Sequence, residues 1–224
     1  KVTISGGTIA GNINNSGSLE KTGGTITGDI TNTGGGTYED VPIVVYSTIR
    51  SDTVLVWNDA SSWENGVKPD TEISGNTAVI ITLKGDVKST SDLTFNNSGS
   101  KQIDLYLNGH TLDLSECKFI LGNGIGNVNI YGPGNVKVKT FDPYDNGSNS
   151  NHILNLWNKT EFYIFESLYS SGSTVKITDK TGDCKFYLTA SGENVNYGAS
   201  GIDYDGIKPE PYGEPKIYRV IDNG

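Results

Sequence analysis

The sequence predicts an all-β chain stacked as a solenoid, and three observations carry that expectation. The first is a unit that returns. QIDLYLNGHTLDLS, from Gln102, is followed by NVNIYGPGNVKVK, ending at Lys139, and each copy is two apolar-alternating runs around a glycine turn. Leu105, Leu107, Gly109, Leu112 and Leu114 fall on Val128, Ile130, Gly132, Val136 and Val138, at a shift of 23 residues up to the glycine and 24 after it. The second observation is a shorter repeat, GGTIAGNINNSG (Gly6 to Gly17) against GGTITGDITNTG (Gly23 to Gly34), at a shift of 17. A unit this small cannot bury its own apolar face, so regular recurrence means that neighbours stack on it. The third is composition: 29 Gly in 224 residues and only 34% hydrophobic residues fit many turns joined by short alternating strands.

Residues 1–40 form the 17-residue-repeat segment. Val2 falls on Leu19, and GGTY at Gly35 to Tyr38 is a truncated further copy. Ile9, Ile13, Ile26 and Ile30 supply apolar groups too sparse for a core. The segment is expected to be a narrow β-solenoid that packs on its neighbours or continues a repeat array lying upstream. The alternative is a flexible Gly/Thr/Asn linker.

Residues 41–77 read as an N-terminal cap. Two β-rich runs in VPIVVYSTIRSDTVLVW lead to Trp57, Trp63, Gly66 and Pro69. The end of a solenoid exposes unpaired backbone, and large aromatic groups can cover it.

Residues 78–190 carry about five regular rungs. Ile81, Leu83, Gly85 and Val87 lie 24 to 25 residues before the opening unit; Leu154, Leu156, Asn158, Phe162 and Ile164 lie 26 after its second copy. Val175, Ile177, Asp179, Cys184 and Phe186 extend the series by 21 to 22. Gly85, Gly109, Gly132, Asn158 and Asp179 then stand at the corners, and these residue types suit sharp turns. A third strand per rung is read from Leu93 and Phe95, matched 26 residues on by Phe119 and Leu121; Asn97 and Asn123 follow at corners where an Asn ladder can form. Residues 191–224 lose this register and read as a Pro-rich C-terminal cap or linker, with KIYRVI (Lys216 to Ile221) as a last strand.

LYLNGHTLDL and VNIYGPGNVKV resemble rungs of the pectin-lyase-like superfamily, and the Trp57–Pro69 spacing resembles the lead-in of bacterial surface β-helix proteins. The resemblance covers roughly residues 78–190. It implies a right-handed, single-stranded parallel β-helix, which in that superfamily serves both polysaccharide lyases and hydrolases and non-catalytic surface proteins.

Chemistry is sparse. The net charge of −9 is spread among interspersed acids and bases, which leaves no basic stripe for nucleic acid. No apolar run approaches the length of a membrane span. The chain begins mid-pattern at Lys1 and contains no Met, so it is read as part of a larger chain. Asn14, Asn96, Asn146 and Asn158 head N-x-S/T sequons, as chance allows in so Asn-rich a chain. Cys117 and Cys184 are assigned to rungs two and five, about 14 Å apart along the axis, so two free thiols are expected. His110 is a turn residue and His152 flanks a buried strand; they form no pair.

Alternation turns Thr82, Asp104, Tyr106, Asn127, Asn129, Asn155 and Lys176 outward on the first strands. It turns Lys88, Asp113, Lys137, Tyr163 and Lys185 outward on the second. Acid and base alternate and no carboxylates stack on adjacent rungs, whereas an inverting hydrolase sets two roughly 6.5–9.5 Å apart. No catalytic residue is therefore assigned. The ligand-binding candidates are Asp142, Tyr144 and Asp145, in the longest corner insertion, with Trp157 on the strand beneath it. Long loops on rigid scaffolds often carry function. DYDG places Asp203 and Asp205 as candidates for calcium, but the later ligands of a calcium loop are missing, so no cofactor is expected.

Three functions are weighed. The first is a non-catalytic module of a bacterial adhesin-like protein, secreted or on the cell surface, whose loops meet a glycan or the extracellular matrix. The second is a polysaccharide lyase or glycoside hydrolase, and the third is a stalk with no ligand.

Overall fold

The computed structural model describes residues 1–71, 77–96, 102–122, 126–143, 151–168, 174–189 and 202–212. Every ladder pairing among these residues is parallel.

The N-terminal unit is made of β1 (Val2–Ile9), β2 (Ile13–Asn15), β3 (Ser18–Ile26), β4 (Ile30–Asn32) and β5 (Thr37–Asp40). Its sheets run β1-β3-β5 and β2-β4. Thr8 pairs with Thr25 and Ile13 with Ile30, at the 17-residue shift. GGTY starts the next turn instead of repeating the end of GGTI: Tyr38 pairs with Leu19, not with Ile26. Asn15 donates its amide to Asn32 Oδ1 at 2.8 Å and to the Thr37 carbonyl at 2.7 Å. An Asn rung therefore exists here, whereas Asn97 and Asn123 lie outside the described residues.

The main solenoid follows as β6 (Ile43–Ser47), β7 (Leu55–Val56), β8 (Ala78–Thr82), β9 (Val87–Lys88) and β10 (Leu93–Phe95). It continues with β11 (Gln102–Tyr106), β12 (Thr111–Leu121), β13 (Gly126–Tyr131), β14 (Gly134–Pro143) and β15 (Asn151–Trp157). Then come β16 (Thr160–Leu168), β17 (Thr174–Asp179), β18 (Lys185–Thr189), β19 (Ile202–Asp205) and β20 (Pro209–Tyr212). One sheet runs β6-β8-β11-β13-β15-β17-β19 and a second runs β7-β9-β12-β14-β16-β18-β20. The chain alternates between them turn by turn, which is a parallel β-solenoid. The register of β12 against β14 shifts between Leu114 and Lys118, so one strand serves two faces. Its second half pairs with β10, and Leu93, Phe119, Phe141 and Leu168 line up on this third face.

The core is a column of rings. Trp57, Trp63, Phe95, Phe119, Phe141, Phe162 and Phe186 are buried. Neighbouring centroids lie 5.3 Å apart for Trp57–Trp63, 5.1 Å for Phe95–Phe119 and 5.3 Å for Phe162–Phe186. Each such ring contributes about 1.5–3 kcal/mol by leaving water. The Trp63 indole N–H donates to the Trp57 carbonyl at 3.0 Å, so its polar edge is satisfied inside.

The segment expected as a cap supplies a layer of its own. Ile43–Ser47 pairs with β8 and Leu55–Val56 with β9, which places both tryptophans within the column. At the other end, Ile202–Asp205 and Pro209–Tyr212 continue both sheets where register was expected to be lost. Lys216 to Ile221 lies outside the described residues.

Two expected registers are wrong by two residues. Leu105 pairs with Ile130, not Val128; Leu154 pairs with Ile177 and Phe162 with Phe186, not with Val175 and Cys184. In the first case the cause is unequal turns. Leu107–His110 joins β11 to β12, whereas only Gly132 and Pro133 join β13 to β14. Superposing the two glycines thus misplaces the strand before them. A slip of two preserves every inward and outward assignment, so alternation could not expose it.

Candidate functional site

The site begins at the bend of β12. Ser115, Glu116 and Cys117 fill the register shift, and the corresponding shift in β14 and β16 lies near Lys139 and Glu166. Asp92, Glu116, Lys118, Lys139, Thr140, Asp142, Glu166 and Ser167 thereby line an open cleft of about 490 Å³. Carboxylates from successive turns do gather, contrary to the sequence expectation. They do so on the third face, at the bends between strands, where two-residue alternation assigns no side.

Each carboxylate of the cleft has a cation or an amide beside it. Asp92 Oδ1 accepts the Lys118 backbone N–H at 2.9 Å. Glu116 lies 3.7 Å from Lys88 Nζ, Asp142 3.8 Å from Lys118 Nζ, and Glu166 3.3 Å from Lys139 Nζ. The Thr140 and Ser167 hydroxyls are 3.0 Å apart. The lining holds four carboxylates against two lysines, a net acidic surface rich in both donors and acceptors.

Asp142 stands apart from the others. It is 7% exposed, and its Oδ1 is buried without a hydrogen-bond partner. Burial pushes its carboxyl above the usual range; Lys118 opposes the shift and Asp92 adds to it. A buried carboxyl oxygen left without a donor is costly.

Of the other ligand candidates, Tyr144 and Asp145 lie outside the described residues. Trp157 is described, and it is not in the cleft: it sits on the outward face of the first sheet, stacked on Tyr131 at 5.5 Å. Tyr131 in turn stacks on Tyr106 at 4.5 Å with an interplanar angle of 9°. Stacking covers ring faces that a sugar would otherwise use. Beside this stack runs a polar ladder. Asn129 donates to Asp104 Oδ1 at 2.8 Å, Asn155 donates to Asn129 Oδ1 at 2.9 Å, and Gln102 donates to Asp104 Oδ2 at 2.6 Å. Alternation turns the ladder residues Asp104, Asn129 and Asn155 outward, and they are outward and buried at once. Burial raises the Asp104 pKa, against the hydrogen bonds from Asn129 and Gln102 that lower it.

The metal candidates Asp203 and Asp205 both lie beside Lys176. Asp205 forms an ion pair with Lys176 at 2.8 Å, and Asp203 is exposed one register step from it. Asp179, Asp183 and Cys184 place one donor atom each within 4.8 Å of one another. Their bonding is that of a turn. Asp179 accepts backbone N–H groups from Thr181, Gly182 and Cys184 at 3.0, 2.8 and 3.1 Å. Burial acts to raise its pKa, and those donors hold it below the usual value. Both thiols are free, and burial pushes the Cys184 thiol up to about 11.

Compared with known proteins, the chain matches no family model, no curated protein and no solved structure.

Proposed function

We propose that the chain is a non-catalytic β-solenoid module of an adhesin-like bacterial protein, secreted or on the cell surface, and that the third-face cleft contacts a glycan or matrix polymer. In this reading the solenoid is right-handed, as parallel crossovers within one sheet nearly always are, and is of the pectin-lyase-like kind. The observation that carries the proposal is that the cleft's carboxylates are all engaged. Each of its four carboxylates already faces a lysine or an amide, which suits hydroxyl groups that donate and accept, and leaves no bare acid–base pair for hydrolysis. Asp142 lines that cleft, so its carboxyl is the group to test.

The same residue favours a second reading. A buried carboxyl with a raised pKa is what a general acid in a glycoside hydrolase requires. The test is a glycan array with the wild type and Asp142→Asn, with thermal melting as the fold control. Glycan binding that weakens by about tenfold or more in the variant supports the module, since a lost charged hydrogen bond costs about 1.5–3 kcal/mol. Release of products from uronate-containing polysaccharides, with or without calcium, replaces it by the enzyme. Silence in both assays leaves the stalk.

A further inference from the structure

The corner that joins the first sheet to the second carries basic side chains on three successive turns. Ile49 and Arg50 come after β6, Lys84 after β8, and Asn108 to His110 after β11. Hydrogen bonds stack these turns on one another. The Lys84 N–H donates to Thr48 Oγ1 at 2.5 Å, the Asn108 side-chain amide to the Leu83 carbonyl at 3.0 Å, and the Thr111 N–H to Asp86 Oδ1 at 2.9 Å. Neighbouring turns lie about 4.8 Å apart. Arg50, Lys84 and His110 therefore meet around one open pocket of about 400 Å³, lined also by Leu83 and Asn108.

Charge sets this pocket apart. None of its described lining residues is a carboxylate, in a chain whose net charge is −9 and whose third-face cleft holds four. Arg50 is one of two arginines in the chain, and it is exposed with no hydrogen bond or ion pair among the described residues. Lys84 pairs with Glu64, and His110 Nδ1 lies 3.7 Å from Asp86 Oδ1. Both of those carboxylates are half exposed or more. Ion pairs so open to water hold weakly, so an incoming anion can take over their basic partners.

We infer that this corner is an oxyanion site, which holds a sulfate, phosphate or carboxylate group between Arg50, Lys84 and His110. Arg50 supplies a planar fork of N–H donors that matches paired oxygens, and Lys84 adds a point charge beside it. The Asn108 amide has a second N–H besides the one given to Leu83. A free ion and a charged group on an acidic polymer present the same oxygens to these donors. The site is separate from the third-face cleft at the bend of β12, and it stands whatever that cleft binds.

The experiment titrates the full chain with sodium sulfate at constant ionic strength, so that general screening does not change. It follows the backbone amides of Arg50, Lys84 and His110 by NMR, and these signals should move together and saturate. Arg50→Gln should weaken binding, read at Lys84 and His110, by about tenfold, the effect of one charge-assisted pair. It should melt as the wild type does, because Arg50 holds no other group. Lys84→Gln, on the next turn, should weaken binding as well, whereas Lys137→Gln on the second sheet should not. A parallel titration with dextran sulfate against neutral dextran identifies the source. Tighter binding per sulfate group at the same residues assigns the site to an acidic polymer, and equal binding assigns it to the free ion. Shifts that never saturate, or that spread evenly over the lysines, overturn the inference. So does an Arg50→Gln or Lys84→Gln variant that loses no more than Lys137→Gln.

Discussion

One turn takes 17 to 19 residues in the N-terminal unit, where Thr8 pairs with Thr25 and Leu19 with Tyr38, and 23 to 27 along β8 to β20 of the main solenoid, where Leu154 pairs with Ile177 and Ile177 with Tyr204. That difference in girth changes what holds the turns together. The wide turns enclose a lumen that a column of phenylalanine and tryptophan fills. Among the strands of the narrow unit only Leu19 is fully buried, and Val41 is buried just after them. Its cohesion comes from backbone ladders, from Asn15 against Asn32, and from glycines that let one turn touch the next. The lesson is that a β-solenoid can be stabilised by side-chain burial or by close backbone stacking, and that the two demand opposite residue sizes.

The largest effect expected on this contrast is in the wide region. Phe119→Ala removes a ring whose centroid lies 5.1 Å from Phe95, 5.7 Å from Phe141 and 5.8 Å from Phe162. It should cost about 3–5 kcal/mol in denaturant unfolding. A loss under about 1 kcal/mol would mean that the column is not what holds the sheets.

In the narrow unit the damaging change is an addition. Gly28→Ala drives a methyl group against the Gly11 backbone at 2.3 Å and should cost about 1–3 kcal/mol through overpacking. Exchange protection should fall across β1 to β5 and persist on β11 to β16. Uniform loss along the whole chain would show that the two regions unfold as one.

The smallest effect lies where the regions meet. Thr3, Ser5, Glu20 and Thr22 of the narrow unit and Gln102, Asp104 and Tyr106 of the wide one line a shared groove of about 500 Å³. The Asp104 pKa is raised in the folded chain, chiefly by burial. The folded state therefore holds its proton more tightly than the unfolded state, and the stability this gives is present below the unfolded value of about 3.9. It is lost as pH rises through the folded value. Asp104→Asn has no such loss, so its Tm relative to the wild type should climb from pH 3 to pH 7. A difference that does not vary with pH would show that burial leaves this carboxyl unperturbed.

How much of this was legible depends on the residue. The outward placement of Asp104, Asn129 and Asn155 follows from alternation, yet their hydrogen-bonded burial does not, because it depends on which turns lie beside them. The cleft left a signal that went unused: Asp92, Glu116, Asp142 and Glu166 recur at 24, 26 and 24 residues, close to one turn each. They sit at the bend between strands, where two-residue alternation assigns no face, so reading the flat faces alone passed over them. Trp157 and Asp142 looked adjacent through the corner insertion, but they belong to different sheets, because the chain turns a corner between them.

By itself the sequence determined the approximate length of a turn, the parallel stacking that length implies, and the side of the strand on which each residue stands. These are local properties, written in spacing and in a period of two. Tertiary structure alone decided the two-residue register, because turns of unequal length shift one strand against the next without changing the face of any side chain. It likewise decided which outward groups are covered, because distance between turns is set by packing across the stack and not by separation along the chain.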